Sequence, residues 1–236
     1  MEKMNNIKKE EGEIPNSDGQ LAAALAHEIR NPLTTVKGFM QLLKPYLSEI
    51  GKEQYAELAI DEINRANDMI YEFLNASKPG TNKKAKINLN KLIQEMKMLF
   101  ESQANINNIN LSVKPCPGNP IIYGDTNKIK QVLINIIKNA LEACEEVHAG
   151  DGEVSITAKS NSQQTEIIIE DNGPGMTEET INKLFLPFYT TKEKGTGIGL
   201  SICRKIIEEH KGRIAVNSRL SQGSVFIIEL PLALTK

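Results

Sequence analysis

The stretch ALAHEIRNPLTTVKGFMQLL, residues 24–43, has the spacing of a long amphipathic helix. Its apolar side chains recur every three or four residues, continue beyond it in the same register, and form one stripe. The stripe consists of Leu25, Ile29, Leu33, Val36, Met40, Leu43 and Leu47. At about 100° per residue, the centre of the stripe points about 160° away from His27. We therefore predict that the His27 side chain lies on the solvent side of the helix, with Asn31 one turn later.

Two long helices separated by a short break predict a helical hairpin. The first helix is expected from Ser17 to about Ser48 and the second from about Glu53 to Ser77, with Gly51 in the break. Apolar residues of the second helix have heptad-like spacing. A hairpin of this kind exposes an apolar seam, which a second copy would cover by completing a four-helix bundle. We therefore predict a homodimer formed through the hairpin.

A proline is expected inside the first helix. Pro32 removes one backbone hydrogen bond and crowds the carbonyl of Glu28. We predict a bend just after His27, through which a signal would change the local helix geometry. The alternative is a tolerated kink that has no function.

The composition changes after the hairpin. The stretch SKPGTNKKAK, residues 77–86, combines proline, glycine and lysines, as linkers do. Beyond it, short strands alternate with helices, one of them a long helix from about Thr126 to Val147. This pattern predicts an α+β two-layer sandwich with helices on one face of the sheet. The predicted organisation is therefore multidomain: a polar tail at 1–16, the hairpin at 17–77, a linker at 78–86 and a second domain at 87–236.

Composition argues against several classes of protein. The formal net charge of −2 over 236 residues gives no bias toward nucleic acid. The three cysteines have no paired spacing, so neither a disulfide scaffold nor a cysteine metal site is expected. No apolar run approaches the ~18 residues of a membrane span, and the polar N-terminal stretch does not resemble a signal peptide. We expect a cytoplasmic chain, whether or not upstream segments anchor a longer parent protein to a membrane.

Two stretches of the second domain place amide and carboxylate oxygens where a nucleotide could use them. Asn135 and Asn139 lie four residues apart on one face of the long helix, and their amide oxygens suit a hydrated Mg²⁺ that phosphates also hold. Asp171 ends a strand, where its carboxylate is a fixed acceptor for an exocyclic amine such as that of adenine. Gly173 and Gly175 let the backbone approach a ligand closely.

Two further stretches are a glycine-rich turn and an aromatic, basic loop. The turn GTGIGL, residues 195–200, enters a helix whose free N–H groups and dipole favour phosphate. The loop LFLPFYTTKEK, residues 184–194, has an aromatic hinge and a basic tip suited to closing over a nucleotide. Taken singly, such stretches are often structural turns or solvated helix faces. Their occurrence together and in this order favours a nucleotide site.

Five ordered motifs resemble those of two-component sensor histidine kinases. They are AHEIRNPLTTVKGF for the phosphoacceptor motif, NIIKNALEA for the asparagine box, DNGPGM for the first glycine box, LFLPFYTTK for the phenylalanine box and GTGIGLSI for the second glycine box. The resemblance extends from about Gln20 to Pro231, and the first motif most resembles sporulation kinases of spore-forming bacteria, in particular the kinase B type. It implies a dimeric phosphoacceptor hairpin followed by an ATP-binding domain of the gyrase, chaperone and histidine kinase type.

The resemblance also implies an activity and the residues that perform it. A kinase of this family transfers the γ-phosphoryl group of ATP to His27 and then to an aspartate of a response-regulator receiver domain. Adenine is expected on Asp171 and Mg²⁺ on Asn139. The full set of implied nucleotide contacts is Asn135, Asn139, Asp171, Gly173, Gly175, Lys192, Gly195, Thr196, Gly197, Gly199, Leu200 and Ser224. Protein inhibitors and an upstream sensor segment stay open as further partners.

Residues beside His27 suit its expected chemistry. An imidazole is nucleophilic when one ring nitrogen is unprotonated, and Glu28 can accept the N–H of the other nitrogen and take its proton. Asn31 is suited to orienting a water that hydrolyses a phospho-aspartate of the partner. The spacing of Glu28 and Asn31 also resembles the phosphatase motif of the family.

Three alternatives fit parts of the sequence. A nucleotide-driven clamp ATPase shares the ATP fold, but its water-activating glutamate would stand where this chain has Asn135. A serine-directed protein kinase on this fold would lack a histidine helix, so His27 argues against it. A non-catalytic dimer module switched by ATP stays open.

The remaining histidines have a simpler interpretation. His148 and His210 stand near predicted helix ends, where partners of the helix dipole have structural or solvent-facing roles. Gly212 is expected close to the C′ position of the last helix.

Overall fold

The structure is a computed structural model that describes residues 18–77, 84–145, 151–192 and 195–233. For residues 18–27, 68 and 71–77 it describes the backbone alone. The expectations for the N-terminal tail, most of the linker, His148 and Lys194 lie outside the described residues. The chain divides into two compact units, Met1–Pro79 and Gly80–Lys236. No helix of the described ranges has both the length and the apolar character needed to cross a bilayer.

The first unit is a helical hairpin. Helix α1 covers Asp18–Glu49 and helix α2 covers Glu53–Ser77. Both helices agree with the predicted ones to within about a residue, because their apolar periodicity is a local property of the sequence. Pro32 lies inside α1, and so does Pro45. The bend after His27 stays a prediction.

Where the side chains of the hairpin are described, the two helices bury few apolar residues between them. Ala56 and Ile63 of α2 are buried, and the Lys37 ammonium donates to Oδ1 of Asn64 at 2.7 Å across the pair. Many large apolar side chains stay exposed in the single chain, namely Ile29, Val36, Phe39, Leu42, Leu43, Tyr46, Ile50, Tyr55 and Leu58. Three of them belong to the predicted stripe, so one hairpin alone does not cover that stripe.

The second unit consists of helices and two sheets. Its strands are β1 (Ala85–Asn88), β2 (Ile109–Lys114), β3 (Ile121–Gly124), β4 (Gly152–Ser160), β5 (Gln164–Asp171), β6 (Arg213–Ser218) and β7 (Ser224–Pro231). Its helices are α3 (Leu89–Ile106), α4 (Thr126–Glu145), α5 (Glu178–Lys183) and α6 (Gly199–Glu209). Five strands form a sheet in the order β2-β4-β5-β7-β6, and β1 pairs with β3 in a small separate sheet. In the larger sheet β2 and β4 are parallel, whereas the other neighbours are antiparallel.

Helices α3, α4 and α6 pack with the larger sheet and close the core. Alternate residues of the central strands are buried, so one face of the sheet points into this core. Helix α4 contributes the buried side chains Ile129, Val132, Leu133, Ile136, Ile137, Ala140, Leu141 and Cys144. The predicted α+β two-layer sandwich is confirmed. Because its apolar face is in the core, α4 presents Asn135 and Asn139, both half-buried, on a different side.

His210 connects the end of α6 to the start of α4. Its buried ring places Nδ1 2.7 Å from the carbonyl oxygen of Ile206, and Nε2 accepts a hydrogen bond from the N–H of Asp125 at 2.9 Å. A carbonyl only accepts and an N–H only donates, so the ring is neutral with its proton on Nδ1. The structural role expected for His210 is confirmed, although these contacts, rather than an exposed dipole interaction, provide it.

Gly212 directly follows the C′ position of α6, close to where it was expected. Lys211 occupies C′ in the left-handed region (φ 59°), and its N–H donates to the Glu208 carbonyl at 2.9 Å. Gly212 follows, and its N–H donates to the Ile207 carbonyl at 2.9 Å. A β-carbon on Gly212 would lie 2.3 Å from the carbonyl oxygen of Glu229. Packing against β7 therefore explains the glycine.

Candidate active site

Asp171, at the end of β5, is the most deeply buried carboxylate of the candidate site. The residue is 5% exposed, and the hydrogen bonds that it receives from the N–H groups of Gly173 (3.0 Å) and Ser224 (3.2 Å) both reach Oδ1. Burial raises the pKa of Asp171 to about 6, although the two backbone hydrogen bonds act in the opposite direction. Oδ2 is the oxygen through which this carboxylate can accept a hydrogen bond from a ligand.

Ser224 contributes its backbone to this arrangement. Its N–H donates to Asp171, whereas its hydroxyl pairs with the hydroxyl of Ser218 at 3.1 Å. The preceding residue, Gly223, allows β7 to come this close, because a β-carbon there would lie 1.9 Å from the carbonyl oxygen of Asp171. The contact between Ser224 and a nucleotide stays a prediction.

The glycines of the first glycine box approach other parts of the protein closely. A β-carbon on Gly173 would lie 2.9 Å from the β-carbon of Ala143 on α4. Gly175 has a φ of 68°, and a β-carbon there would lie 1.9 Å from the carbonyl oxygen of Arg219. Both glycines are therefore required by packing within the unit, whereas their approach to a ligand stays a prediction.

Asn135 contacts the second glycine box. Its Nδ2 donates to the carbonyl of Gly199 at 3.4 Å and lies 3.7 Å from Sγ of Cys203. Burial raises the pKa of Cys203 to about 12, so its thiol stays protonated beside the amide. Helix α6 begins at Gly199, and Ile198 at its N-cap provides no side-chain hydrogen bond. The first N–H groups of α6, those of Gly199 and Leu200, therefore lie at an end without a side-chain cap, as a phosphate site requires.

The glycine turn before α6 packs against the aromatic loop. The N–H of Phe188 donates to the carbonyl of Gly197 at 3.0 Å, and a β-carbon on Gly197 would lie 2.5 Å from the carbonyl carbon of Phe188. Gly195 is similarly close to Thr190, since a β-carbon there would lie 2.3 Å from Oγ1. Thr196, between these glycines, is half-buried. The structure thus joins the phenylalanine box and the second glycine box into one segment.

Asn139 and Lys192 meet at the side of α4. The Lys192 ammonium donates to Oδ1 of Asn139 at 3.2 Å and also to the carboxylate of Glu142. The two oxygens therefore already converge on one cation. Neutral amide and carboxylate oxygens are ligands that Mg²⁺ prefers, so the donor set fits the ion implied by the sequence. Among the described residues, no cluster of three or more histidine, cysteine, aspartate or glutamate side chains forms a separate metal site.

The three predicted catalytic residues lie on α1 in the first unit. His27 is within the helix, and its side chain is outside the described residues. Glu28 and Asn31 are exposed. The carbonyl of Asn31 accepts a hydrogen bond from the Thr35 hydroxyl at 3.1 Å. The orientation of the His27 ring stays a prediction, whereas the face next to it is open to solvent at Glu28 and Asn31.

Comparisons with known proteins identify both units. Residues 17–82 match the His Kinase A (phospho-acceptor) domain, and residues 124–234 match the Histidine kinase-, DNA gyrase B-, and HSP90-like ATPase family. The catalytic domain of histidine kinase ThkA is 40% identical, with a TM-score of 0.57, over 63% of this chain and 95% of that domain. The chain belongs to the two-component sensor histidine kinase family.

Curated members of this family are similar over most of the chain. Sporulation kinase A of Bacillus subtilis (strain 168) is 42% identical over 90% of this chain and 34% of its own length. Sporulation kinase B of the same organism is 40% identical over 90% of this chain and 49% of its own length. The chain thus spans between about a third and about half of these relatives. The predicted resemblance to sporulation kinases is confirmed, and the two identities do not single out the kinase B type.

One solved histidine kinase complex is similar across both units. The crystal structure of ThkA in complex with the response regulator protein TrrA matches 91% of this chain and 62% of the solved chain. ThkA in that complex is 36% identical in sequence to this chain, and the TM-score is 0.66.

Two residues that the structure places in the candidate site, Glu142 and Gly223, were not predicted from the sequence. Glu142 stands within the asparagine box, three residues after Asn139, and its spacing was the available signal for a shared helix face. Gly223 precedes the last strand. A glycine is needed there because the backbone of Asp171, far away in the sequence, lies against it. The structure brings together Asp171 with Gly173 and Ser224, Asn135 with Gly199, and Asn139 with Lys192.

Proposed function

We propose that this chain is the catalytic core of a sensor histidine kinase that phosphorylates its own His27 with ATP. The phosphoryl group then passes to an aspartate of a response-regulator receiver domain. The observation that carries the proposal is the presence, in one chain, of the histidine-bearing helix α1 and a unit in which the buried Asp171 keeps Oδ2 for a ligand. The complex of ThkA with TrrA supports the receiver domain as acceptor, and the similarity to sporulation kinases supports a role in sporulation signalling.

ATP is proposed to bind with its adenine amine donating to Oδ2 of Asp171. Its phosphates are proposed to lie at the start of α6, where unpaired N–H groups and the helix dipole favour negative charge. A neutral amide at Asn135 is compatible with this arrangement because it adds no charge that would repel phosphate. The other residues proposed to surround the nucleotide are Gly173, Gly175, Lys192, Gly195, Thr196, Gly197, Gly199, Leu200 and Ser224.

Asn139 is proposed to hold Mg²⁺ through Oδ1. The convergence of this oxygen and the Glu142 carboxylate on an ammonium supports a cation position beside α4. When bound there with phosphate oxygens, Mg²⁺ would offset the charge that develops on the transferred phosphoryl group.

Glu28 is proposed to prepare His27 for transfer. The carboxylate accepts one imidazole N–H, which fixes the tautomer and leaves the other nitrogen as the nucleophile, and it takes the proton as the N–P bond forms. Asn31 is proposed to support a second activity, hydrolysis of the phospho-aspartate on the receiver domain. The exposed position of Asn31, one turn from His27, supports this assignment because a docked partner could reach both residues.

A homodimer is proposed through the hairpin. The exposed apolar side chains of Val36, Leu43 and their neighbours support this proposal, since one hairpin does not bury them. Sedimentation at micromolar concentration is expected to give a dimer. A monomer under those conditions would contradict the proposed assembly.

Incubation with γ-labelled ATP tests the proposed function. We expect an acid-labile, base-stable label on the protein, and no label on the His27→Gln variant. Released phosphate without labelled protein would instead indicate a clamp ATPase, although Asn135 is a poor base for that reaction. Neither product would indicate an ATP-switched dimer module, and label retained by His27→Gln would contradict the assignment of the acceptor.

A further inference from the structure

Lys192 is held against α4 by two oxygens from one helix face. Its ammonium donates to Oδ1 of Asn139 at 3.2 Å and pairs with the carboxylate of Glu142. Glu142 follows Asn139 by three residues, which places the two oxygens side by side. The side chains of Lys192 and Glu142 are 34% and 32% exposed, so water only partly screens the pair.

This position of the ammonium disfavours two contacts proposed for the nucleotide-bound site. Mg²⁺ on Oδ1 of Asn139 would lie beside a like charge, and the two cations would repel each other. While it donates to Glu142 and Asn139, the Lys192 ammonium keeps one N–H for a phosphate, but its charge is already paired with the Glu142 carboxylate. Lys138 is a weaker partner of Glu142, since its ammonium is 3.7 Å away and its side chain is 60% exposed. Binding of a metal nucleotide is therefore expected to draw Lys192 away from this position.

We propose that Glu142 is a positioning residue that holds Lys192 in the cation position of the nucleotide-free site. The inference rests on the proposed nucleotide site and adds an exchange to it. In this exchange the Lys192 ammonium leaves Glu142 and Asn139 and moves to the phosphates, which makes Oδ1 of Asn139 available to Mg²⁺. Because the nucleotide must break the Lys192–Glu142 pair in order to bind, the presence of the pair lowers the affinity for nucleotide, and Glu142 opposes binding although it lies in the asparagine box.

Nucleotide affinity without metal is the first measurement. Calorimetric titration of the full chain with ADP in EDTA is expected to give about threefold tighter binding for Glu142→Gln, the size of a partly exposed ion pair. Glu145→Gln is the matched control. Glu145 lies three residues further along α4, is exposed, and accepts a hydrogen bond from Asn107 instead. It is expected to bind ADP like the unmodified chain.

A double-mutant cycle separates the effect of the Lys192–Glu142 ion pair on ADP affinity from direct repulsion between Glu142 and phosphate. In a Lys192→Met background, Glu142→Gln is expected to leave ADP affinity unchanged, since the pair no longer exists. An equal gain in both backgrounds would overturn the inference, because Glu142 would then act on the phosphate directly. Weaker or unchanged ADP binding by Glu142→Gln would overturn it as well.

Reactivity of the Lys192 amine gives a readout that does not depend on nucleotide. Mass-spectrometric mapping after brief acylation is expected to show about threefold faster labelling of Lys192 in Glu142→Gln than in Glu145→Gln. Equal labelling rates would overturn the inference. If the unmodified chain fails to bind ADP or ATP at all, the proposed function fails instead, and the labelling result still reports on the Lys192–Glu142 pair.

Discussion

Nε2 of His210 accepts a hydrogen bond from the backbone N–H of Asp125 at 2.9 Å, across 85 residues of sequence. The contact joins the C-cap residue of α6 to the residue before α4. Gly124 lies so close to the ring that a β-carbon there would be 2.5 Å from Cδ2 of His210. A neutral imidazole is therefore one of the contacts that hold together the two helices supporting the candidate nucleotide site, beside the Asn135–Gly199 hydrogen bond and the Lys128–Glu209 ion pair.

Replacing this imidazole is expected to destabilise the second unit. His210→Ala leaves the Asp125 N–H without an acceptor and opens a cavity beside Gly124, which together cost about 3 kcal/mol. Urea unfolding followed by circular dichroism measures the change. Lys205→Ala, an exposed position on the same helix, is the control and should change the unfolding free energy by less than about 0.5 kcal/mol. Similar values for both variants would contradict the role given to His210.

Asp171→Asn is expected to weaken ATP binding about tenfold to hundredfold. The amide oxygen of asparagine can still accept from Gly173 and Ser224, but its NH₂ group then faces the donating adenine amine. Calorimetric titration with ATP measures the loss. Glu170→Gln removes the same charge from the neighbouring exposed residue and should bind ATP normally. Equal losses in the two variants would indicate a general charge effect rather than recognition of adenine.

The raised pKa of Asp171 predicts a pH dependence of stability without nucleotide. The carboxyl group titrates at about 6 in the folded chain, above its ordinary value of 3.8, so the folded state binds the proton more tightly than the unfolded state. Its contribution to stability is complete below about pH 4 and is lost as the pH rises through 6, by up to about 3 kcal/mol. The free energies of unfolding of the unmodified chain and of Asp171→Asn should therefore separate between pH 4 and pH 7, with the variant becoming relatively more stable as the pH rises. Parallel curves would exclude this linkage.

Gly175→Ala is expected to lower the free energy of unfolding by about 3 kcal/mol or more. Two effects contribute: the new methyl group would collide with the Arg219 carbonyl, and alanine would have to adopt a positive φ. Gly118→Ala separates these two effects, since Gly118 also has a positive φ (84°) but nothing within 4 Å of the added β-carbon. That control should cost only about 1 kcal/mol. Chemical denaturation of both variants provides the comparison, and equal costs would show that the collision is relieved.

Asn31→Ala is expected to separate the two activities proposed for α1. The variant keeps His27 and Glu28, so autophosphorylation should stay within about twofold of the unmodified chain. Dephosphorylation of a phosphorylated receiver domain should fall at least about tenfold, because no amide orients the attacking water. Both rates are measured with the same labelled partner. An equal decrease in both would contradict the proposed division.

Local features of the sequence predicted most helices and strands of this chain. The apolar periodicity of α1 and α2 and the alternation in β4, β5 and β7 depend on neighbouring residues, so they can be recognised without the fold. The short helix α5 was not predicted, since its six residues bury no side chain and leave no apolar pattern. The parallel pairing of β2 with β4 also could not be predicted, because β3 and α4 intervene and no turn residue sets the register.

By itself, the sequence determined which residue types are available: a histidine opposite an apolar stripe, two asparagines on one helix face and a carboxylate at a strand end. Only the tertiary structure decided how these groups are partnered. Folding buried Asp171 against the N–H of Ser224, 53 residues away, and brought Lys192 onto Asn139 and Glu142 about 50 residues before it. Spacing along a helix or strand follows from local backbone geometry, whereas burial and charge pairing depend on segments that meet only when the core closes.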